Sequence, residues 1–76
     1  MKDKDKNLVE SIGGKIKKLR LKCNLTQEQL AESLRVHSNY IYLIEKGKRN
    51  ITLIKFIKLL KILNVKPNIF LEEFFL

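Results

Sequence analysis

The sequence contains few of the residues that hold small domains together through covalent bonds or metals. Its 76 residues include one cysteine and one histidine, so neither an intramolecular disulfide nor a Cys/His zinc cluster can form. No apolar run approaches the roughly 20 residues of a membrane span, and no hydrophobic signal region follows the charged start. These absences predict a cytoplasmic protein that needs no metal or other cofactor.

Signatures of catalysis are also missing. The sequence has no paired histidine and carboxylate, no metal-spaced cluster and no glycine-rich phosphate loop, so we do not expect an enzyme. What is abundant is positive charge, because 16 Lys and Arg against 8 Asp and Glu give a formal net charge of +8. Such a balance favours a polyanionic partner, with nucleic acid first and an anionic membrane second.

The stretch from Thr26 to Arg49 contains two short helical segments separated by a tight break. Thr26 is followed three residues later by Gln29, which is the pattern of a capping box at a helix start. The apolar spacing predicts helices over 27–34 and 38–46. Two helices of about two turns joined by a short turn form a helix-turn-helix, whose second helix can lie in the major groove of DNA.

A first helix is predicted from Leu8 to Cys23, with Cys23 as a core thiol at the end of its apolar stripe. The residues before it, 1–7, alternate lysine and aspartate and are interpreted as a flexible leader. Gly13 and Gly14 each cost roughly 1 kcal/mol inside a helix and are compatible with a later helix start.

Two more helices are predicted after the helix-turn-helix. Thr52 can cap a fourth helix, Asn64 can end it, and Pro67 can begin a fifth. The apolar face of the fourth helix is predicted to contain Leu53, Phe56, Ile57, Leu60 and Leu63.

The run T-Q-E-Q-L-A-E-S-L-x-V-x-S-x-Y-I-x-x-I-E-K-G-K-R-N resembles the small phage-repressor or Xre/Cro-type DNA-binding domain. The similarity covers about Ile12 to Phe70. Within that family, the run from Arg49 to Leu53 is similar to the controller proteins of restriction-modification systems. The resemblance implies an all-α, five-helix repressor-like fold, with a helix-turn-helix DNA-binding domain over residues 8–66 and a C-terminal helix over residues 67–76. It also implies sequence-specific binding of double-stranded DNA as a homodimer, in transcriptional regulation.

The second helix of the helix-turn-helix would carry the base-reading side chains. Asn39 is the best candidate, because its carboxamide can form a bidentate pair with adenine. Tyr42 and Leu43 either contact thymine methyl groups, form a partly exposed apolar patch or pack against the fourth helix. The side chains free to face a groove are Ser38, Asn39, Tyr42 and Leu43, and His37 lies beside them at the helix cap.

The resemblance also assigns roles around this helix. Gln27 would contact a phosphate or the first base, although it is also compatible with a plain surface glutamine. Arg20 and Glu45 would form a structural ion pair between the first and third helices. Arg35 stands where the family commonly has glycine, so the turn is either left-handed there or differently shaped. The cations expected to contact phosphates, unless they form only a solvated loop, are Lys46, Lys48 and Arg49.

The last ten residues, 67–76, which we call the tail, are rich in large apolar side chains. One monomer is not expected to bury them all, so the tail is predicted to form a homodimer interface. The tail lacks the cationic face of a membrane-binding helix, so no membrane partner is expected. The alternative is an antitoxin-like or other interaction module whose tail binds a different protein. The predicted interface residues are Ile69, Phe70, Phe74 and Phe75.

Overall fold

The computed structural model describes residues 3–76, which form five α-helices and a short 3-10 turn. This part of the chain contains no β-strand, so the predicted all-α, five-helix architecture is confirmed. The elements are α1 Asp3–Lys22, α2 Gln27–Leu34, α3 Ser38–Glu45, α4 Leu53–Leu63, α5 Pro67–Leu71 and the 3-10 turn Glu72–Phe75.

Local caps set the ends of α2 and α4 where the sequence predicted them. At the start of α2, Thr26 Oγ1 accepts from the Gln29 backbone N–H at 3.0 Å, and the Gln29 side chain accepts from the Thr26 N–H at 2.8 Å. At the start of α4, Thr52 Oγ1 accepts from the Lys55 N–H at 3.3 Å. Asn64 ends α4 in the left-handed conformation, with φ 57°. These bonds satisfy backbone groups that have no partner within their own helix.

Helix α1 differs from its prediction at both ends. It begins at Asp3 rather than Leu8, because residues 3–7 contain no proline or glycine that would interrupt the helix. Met1 and Lys2, which also belong to the predicted leader, lie outside the described residues. The helix ends at Lys22, and Cys23 is exposed rather than a core thiol. Asn24 turns the chain away with φ 58°, so position 23 does not continue the apolar stripe.

The core lies between all five helices, and α4 contributes to it mainly through its second half. Leu53, predicted to face inward, is 72% exposed, and Ile57 is also exposed, whereas Leu59 is fully buried. The predicted face is therefore wrong at Leu53 and Ile57, because the side of α4 that meets the core carries Leu59, Leu60 and Leu63. The buried apolar residues are Ile16, Leu30, Ala31, Leu34, Tyr40, Ile41, Ile44, Leu59, Leu60, Leu63 and Phe70.

Phe70 belongs to this core and not to a surface. Its side chain is completely buried, and its ring packs edge-to-face on Phe56 with 5.2 Å between centroids. The prediction that Phe70 forms part of a homodimer interface is therefore wrong, because the monomer already covers it. Of the other predicted interface residues, Ile69 is 55% exposed, Phe75 is 83% exposed and Phe74 is half-buried.

The two adjacent glycines of α1 lie in different surroundings. A Cβ at Gly13 would overlap the backbone carbonyl oxygen of Ile44 and lie 3.0 Å from that of Glu45, whereas a Cβ at Gly14 would meet nothing within 4 Å. The helix runs through both residues, so they do not mark a later helix start. Gly13 is where α1 crosses closely over the end of α3.

Arg35 adopts the left-handed conformation at the C-terminal end of α2, with φ 60° and ψ 46°. Such geometry costs a residue with a Cβ about 1 kcal/mol or more, while glycine adopts it freely.

We therefore expect Arg35→Gly to raise the free energy of unfolding by about 0.5–1 kcal/mol, after allowing for the greater entropy of unfolded glycine. Urea unfolding measures the change. Ser33→Gly, at an exposed helical position of α2, is the control and should instead lower stability by about 0.5 kcal/mol. A loss of stability in Arg35→Gly would contradict the expected relief of backbone strain.

Candidate nucleic-acid interface

Helices α2 and α3 form a helix-turn-helix. The turn is closed by the Val36 backbone N–H, which donates to the Ala31 carbonyl at 2.9 Å. His37 Nδ1 accepts from the Asn39 backbone N–H at 3.1 Å, so this histidine caps α3 as predicted. The two helices pack on each other through apolar side chains that include Leu30 and Ile41. The position of α3 is thus fixed by both its cap and its buried face.

Helix α3 has a buried side that packs and an outer side that remains available. The buried residues are Tyr40, Ile41, Ile44 and Glu45. On the outer side Asn39 is exposed, Tyr42 is 41% exposed, and Ser38 and Leu43 are half-buried. The outer side therefore offers a carboxamide, a hydroxyl, an aromatic ring and an aliphatic side chain, which are all groups that can contact base edges.

The buried side of α3 carries a carboxylate that is fully paired. Arg20 Nε donates to Glu45 Oε2 at 2.6 Å and Arg20 Nη2 donates to Glu45 Oε1 at 3.0 Å, so the expected ion pair is present and bidentate. A third Arg20 donor, Nη1, bonds the Leu25 carbonyl at 2.8 Å. This buried pairing neutralises the one acidic side chain of α3 and ties α3 to α1.

Gln27 takes part in the same network, which the sequence did not reveal. Its Nε2 donates to Glu45 Oε1 at 3.0 Å, and the side chain is half-buried. A single carboxylate therefore connects α1, α2 and α3. No local signal predicts this bond, because it joins residues 18 positions apart through the packing of two helices.

Exposed cations follow the C-terminal end of α3. The Arg49 guanidinium carbon lies 4.7 Å from the centroid of the Tyr40 ring, and Lys46 Nζ lies 5.9 Å from that of Tyr42. Such cation–π contacts restrict where the charged groups sit. Between them, Gly47 adopts φ 72° and turns the chain so that Lys48 is also exposed. The nine predicted contact residues thus come from the start of α2, the cap and outer side of α3, and the loop after it.

Among the residues that the structure describes, no group of three or more His, Cys, Asp or Glu side chains is placed to hold a metal ion. Within the same residues, no helix is both long and apolar enough to cross a membrane.

Comparison with known families agrees with this geometry. A family model described as helix-turn-helix matches residues 16–70, which is most of the chain. The chain belongs to this helix-turn-helix family, and the resemblance seen in the sequence is confirmed.

Individual relatives indicate which kind of helix-turn-helix protein the chain is similar to. Control protein C.BamHI of Bacillus amyloliquefaciens is 41% identical over 61 residues, which span 79% of this chain and 75% of that protein. The restriction-modification controller protein C.AhdI from Aeromonas hydrophila matches with a TM-score of 0.75 and 31% identity, covering 84% of this chain and 96% of that one. The controller protein C.Esp1396I, solved as a tetramer in complex with its natural 35-base-pair operator, matches with a TM-score of 0.76 and 35% identity over 87% of each chain. This chain is therefore similar to several restriction-modification controller proteins.

Proposed function

We propose that this protein is a controller-type transcriptional regulator that binds double-stranded DNA sequence-specifically as a homodimer. The observation that carries the proposal is the division of α3 into a buried side held by the Glu45 network and an outer side of groups suited to base contacts. The similarity to C.Esp1396I, whose structure contains its operator, supports the same function. The protein would act by binding and not by catalysis, in the cytoplasm where its DNA target lies.

In the proposed complex, α3 enters the major groove and the surrounding cations hold the phosphates. Asn39 is the direct reader, and Ser38 can bond a base or a phosphate. The partial exposure of Tyr42 and Leu43 favours contacts with thymine methyl groups over packing against α4. Because the Gln27 amide nitrogen bonds Glu45, its carboxamide is held in one orientation beside the N-terminus of α2. That helix end can bind a phosphate through its free N–H groups.

The homodimer is assigned to the exposed part of the tail. Ile69 and Phe75 are large apolar side chains on its surface, and Phe74 beside them is only half-buried. The occupant of this surface would be a second copy of the chain, because the similar C.Esp1396I assembles as a tetramer on its operator. A two-fold axis would place two α3 helices in successive major grooves about 34 Å apart.

Selection of bound duplexes from a random DNA library tests the proposal. The selection is made at about 0.15 M salt, where purely electrostatic binding is much weaker than at low salt. We expect a recovered motif with two-fold symmetry. If no sequence is enriched and binding disappears as salt rises, the proposed sequence specificity is wrong, and the tail would then be tested against a different protein.

Asn39→Ala is expected to relax the preference for one base pair in each half-site. The loss should be about 1–3 kcal/mol of discrimination, because the carboxamide can no longer pair with adenine N6 and N7. Competition between the selected site and its single-base variants measures this change.

Lys48→Ala is the matched control. It should weaken binding to all sequences and reduce the slope of log K against log salt by about 1, as expected for a phosphate contact. Unchanged base discrimination in Asn39→Ala would contradict the assignment of Asn39 as a reader.

A further inference from the structure

One lysine of α1, Lys15, makes several contacts with the tail. Lys15 Nζ donates to the Phe70 carbonyl oxygen at 2.7 Å and forms an ion pair with Glu73 Oε1 at 2.6 Å. The same ammonium lies 4.9 Å from the centroid of the Phe70 ring and 5.7 Å from that of Phe74. The Lys15 side chain is only 22% exposed, so these contacts are partly shielded from water.

The Phe70 carbonyl is a place where such a donor matters. Phe70 lies in the last turn of α5, where carbonyl groups have no partner within their own helix. A cation at this end also interacts favourably with the partial negative charge at the C-terminus of the helix. Immediately afterwards the chain changes from α-helix to the 3-10 turn that carries Phe74 and Phe75. Lys15 therefore contacts the tail at the point where α5 ends and the 3-10 turn begins.

Helix α1 connects this point to the recognition helix. Gly13, two residues before Lys15, lies directly against the Ile44 carbonyl of α3. Arg20, further along α1, holds Glu45 of α3. One continuous helix thus contacts α3 through Gly13 and Arg20 and the tail through Lys15.

We propose that Lys15 is a positioning residue for assembly, which fixes the tail on α1 and so sets the arrangement of the two recognition helices in the dimer. This inference rests on the proposed function, because it assumes that the tail contacts a second copy. Lys15 itself is not expected to contact DNA. Its effect on operator binding arises through the tail.

The test compares Lys15→Met with Lys15→Arg and Lys17→Met in the full chain. Methionine keeps the apolar stem but removes the donor and the charge, arginine restores both, and Lys17 is an exposed residue of the same helix. Sedimentation equilibrium should show a dimer dissociation constant raised by up to about tenfold in Lys15→Met, since the lost charge-assisted hydrogen bond weakens dimerisation only through the fraction of monomers whose tail detaches. Lys15→Arg and Lys17→Met should both stay close to wild type.

Hydrogen exchange and salt dependence separate positioning from other roles. In Lys15→Met, amides of residues 70–75 should exchange faster while those of α3 remain protected. Operator binding should depend more steeply on protein concentration, while the slope of log K against log salt concentration stays unchanged. Faster exchange throughout the domain, a salt slope reduced by about 1, or unchanged dimerisation would each overturn the inference.

A wild-type chain that stays monomeric at tens of micromolar would instead contradict the proposed homodimer. Hydrogen exchange of the tail amides alone would then decide whether Lys15 fixes the tail.

Discussion

Gly13→Ala is expected to lower the free energy of unfolding by about 3 kcal/mol, the upper part of the usual range for overpacking a core. The added methyl group would overlap the backbone carbonyl oxygen of Ile44. A backbone atom cannot move aside as a flexible side chain can, so α1 and α3 would have to separate. Because α1 also holds Glu45, this separation would disturb the Arg20–Glu45 pair as well. Urea unfolding followed by circular dichroism measures the loss.

The neighbouring residue provides the control for this prediction. A Cβ at Gly14 meets no atom within 4 Å, so Gly14→Ala should raise stability by about 1 kcal/mol through helix propensity alone. The two variants make the same chemical change one residue apart in the same helix, and opposite signs are expected. Equal effects of the two variants would mean that α1 does not approach α3 as closely as the structure shows.

Arg20→Ala is expected to lower the free energy of unfolding by about 3–5 kcal/mol, because it leaves the buried Glu45 carboxylate without its cation. Both side chains are nearly excluded from solvent, and Arg20 makes three hydrogen bonds that alanine cannot replace. In a domain of this size, such a loss lowers the melting temperature by more than about 12 °C. Calorimetry gives this temperature, and an unchanged value would show that the pair does not clamp α1 to α3.

The double variant Arg20→Met, Glu45→Met separates the two contributions to this loss. Replacing both partners removes the uncompensated charge, and apolar replacements of buried pairs are often neutral or stabilising. The double variant should therefore be more stable than Arg20→Ala. If it is less stable, the hydrogen bond from Gln27 to Glu45, which only the double variant loses, contributes more than the unpaired carboxylate costs.

The parts of the fold that the sequence predicted well are those with local chemical signals. The ends of α2 and α4 follow from Thr26, Thr52 and Asn64, because caps act through residues a few positions away. The start of α1 was predicted five residues too late, because its first turns are polar and show no periodic apolar residues. Leu53 was placed inside because a wide apolar face does not reveal which part of it meets another helix.

Long-range contacts account for most of what the sequence could not predict about the site. The Arg20–Glu45 pair was expected from a family resemblance, but the bond from Gln27 depends on how three helices meet. The role of Gly13 depends on a crossing between α1 and α3. In the tail, the excess of apolar residues indicated that some must remain exposed, but only packing shows that Phe70 is covered while Phe75 is not.

The division of α3 into two sides has a consequence for the evolution of binding preference. The residues that hold the helix in place, such as Ile41 and Glu45, are different from the outward residues, such as Asn39 and Tyr42. Substitutions at exposed positions usually change stability by no more than about 0.5 kcal/mol. The outward residues can therefore diverge between related genes while the scaffold stays the same, so that two such regulators in one cell can come to recognise different sites without cross-talk.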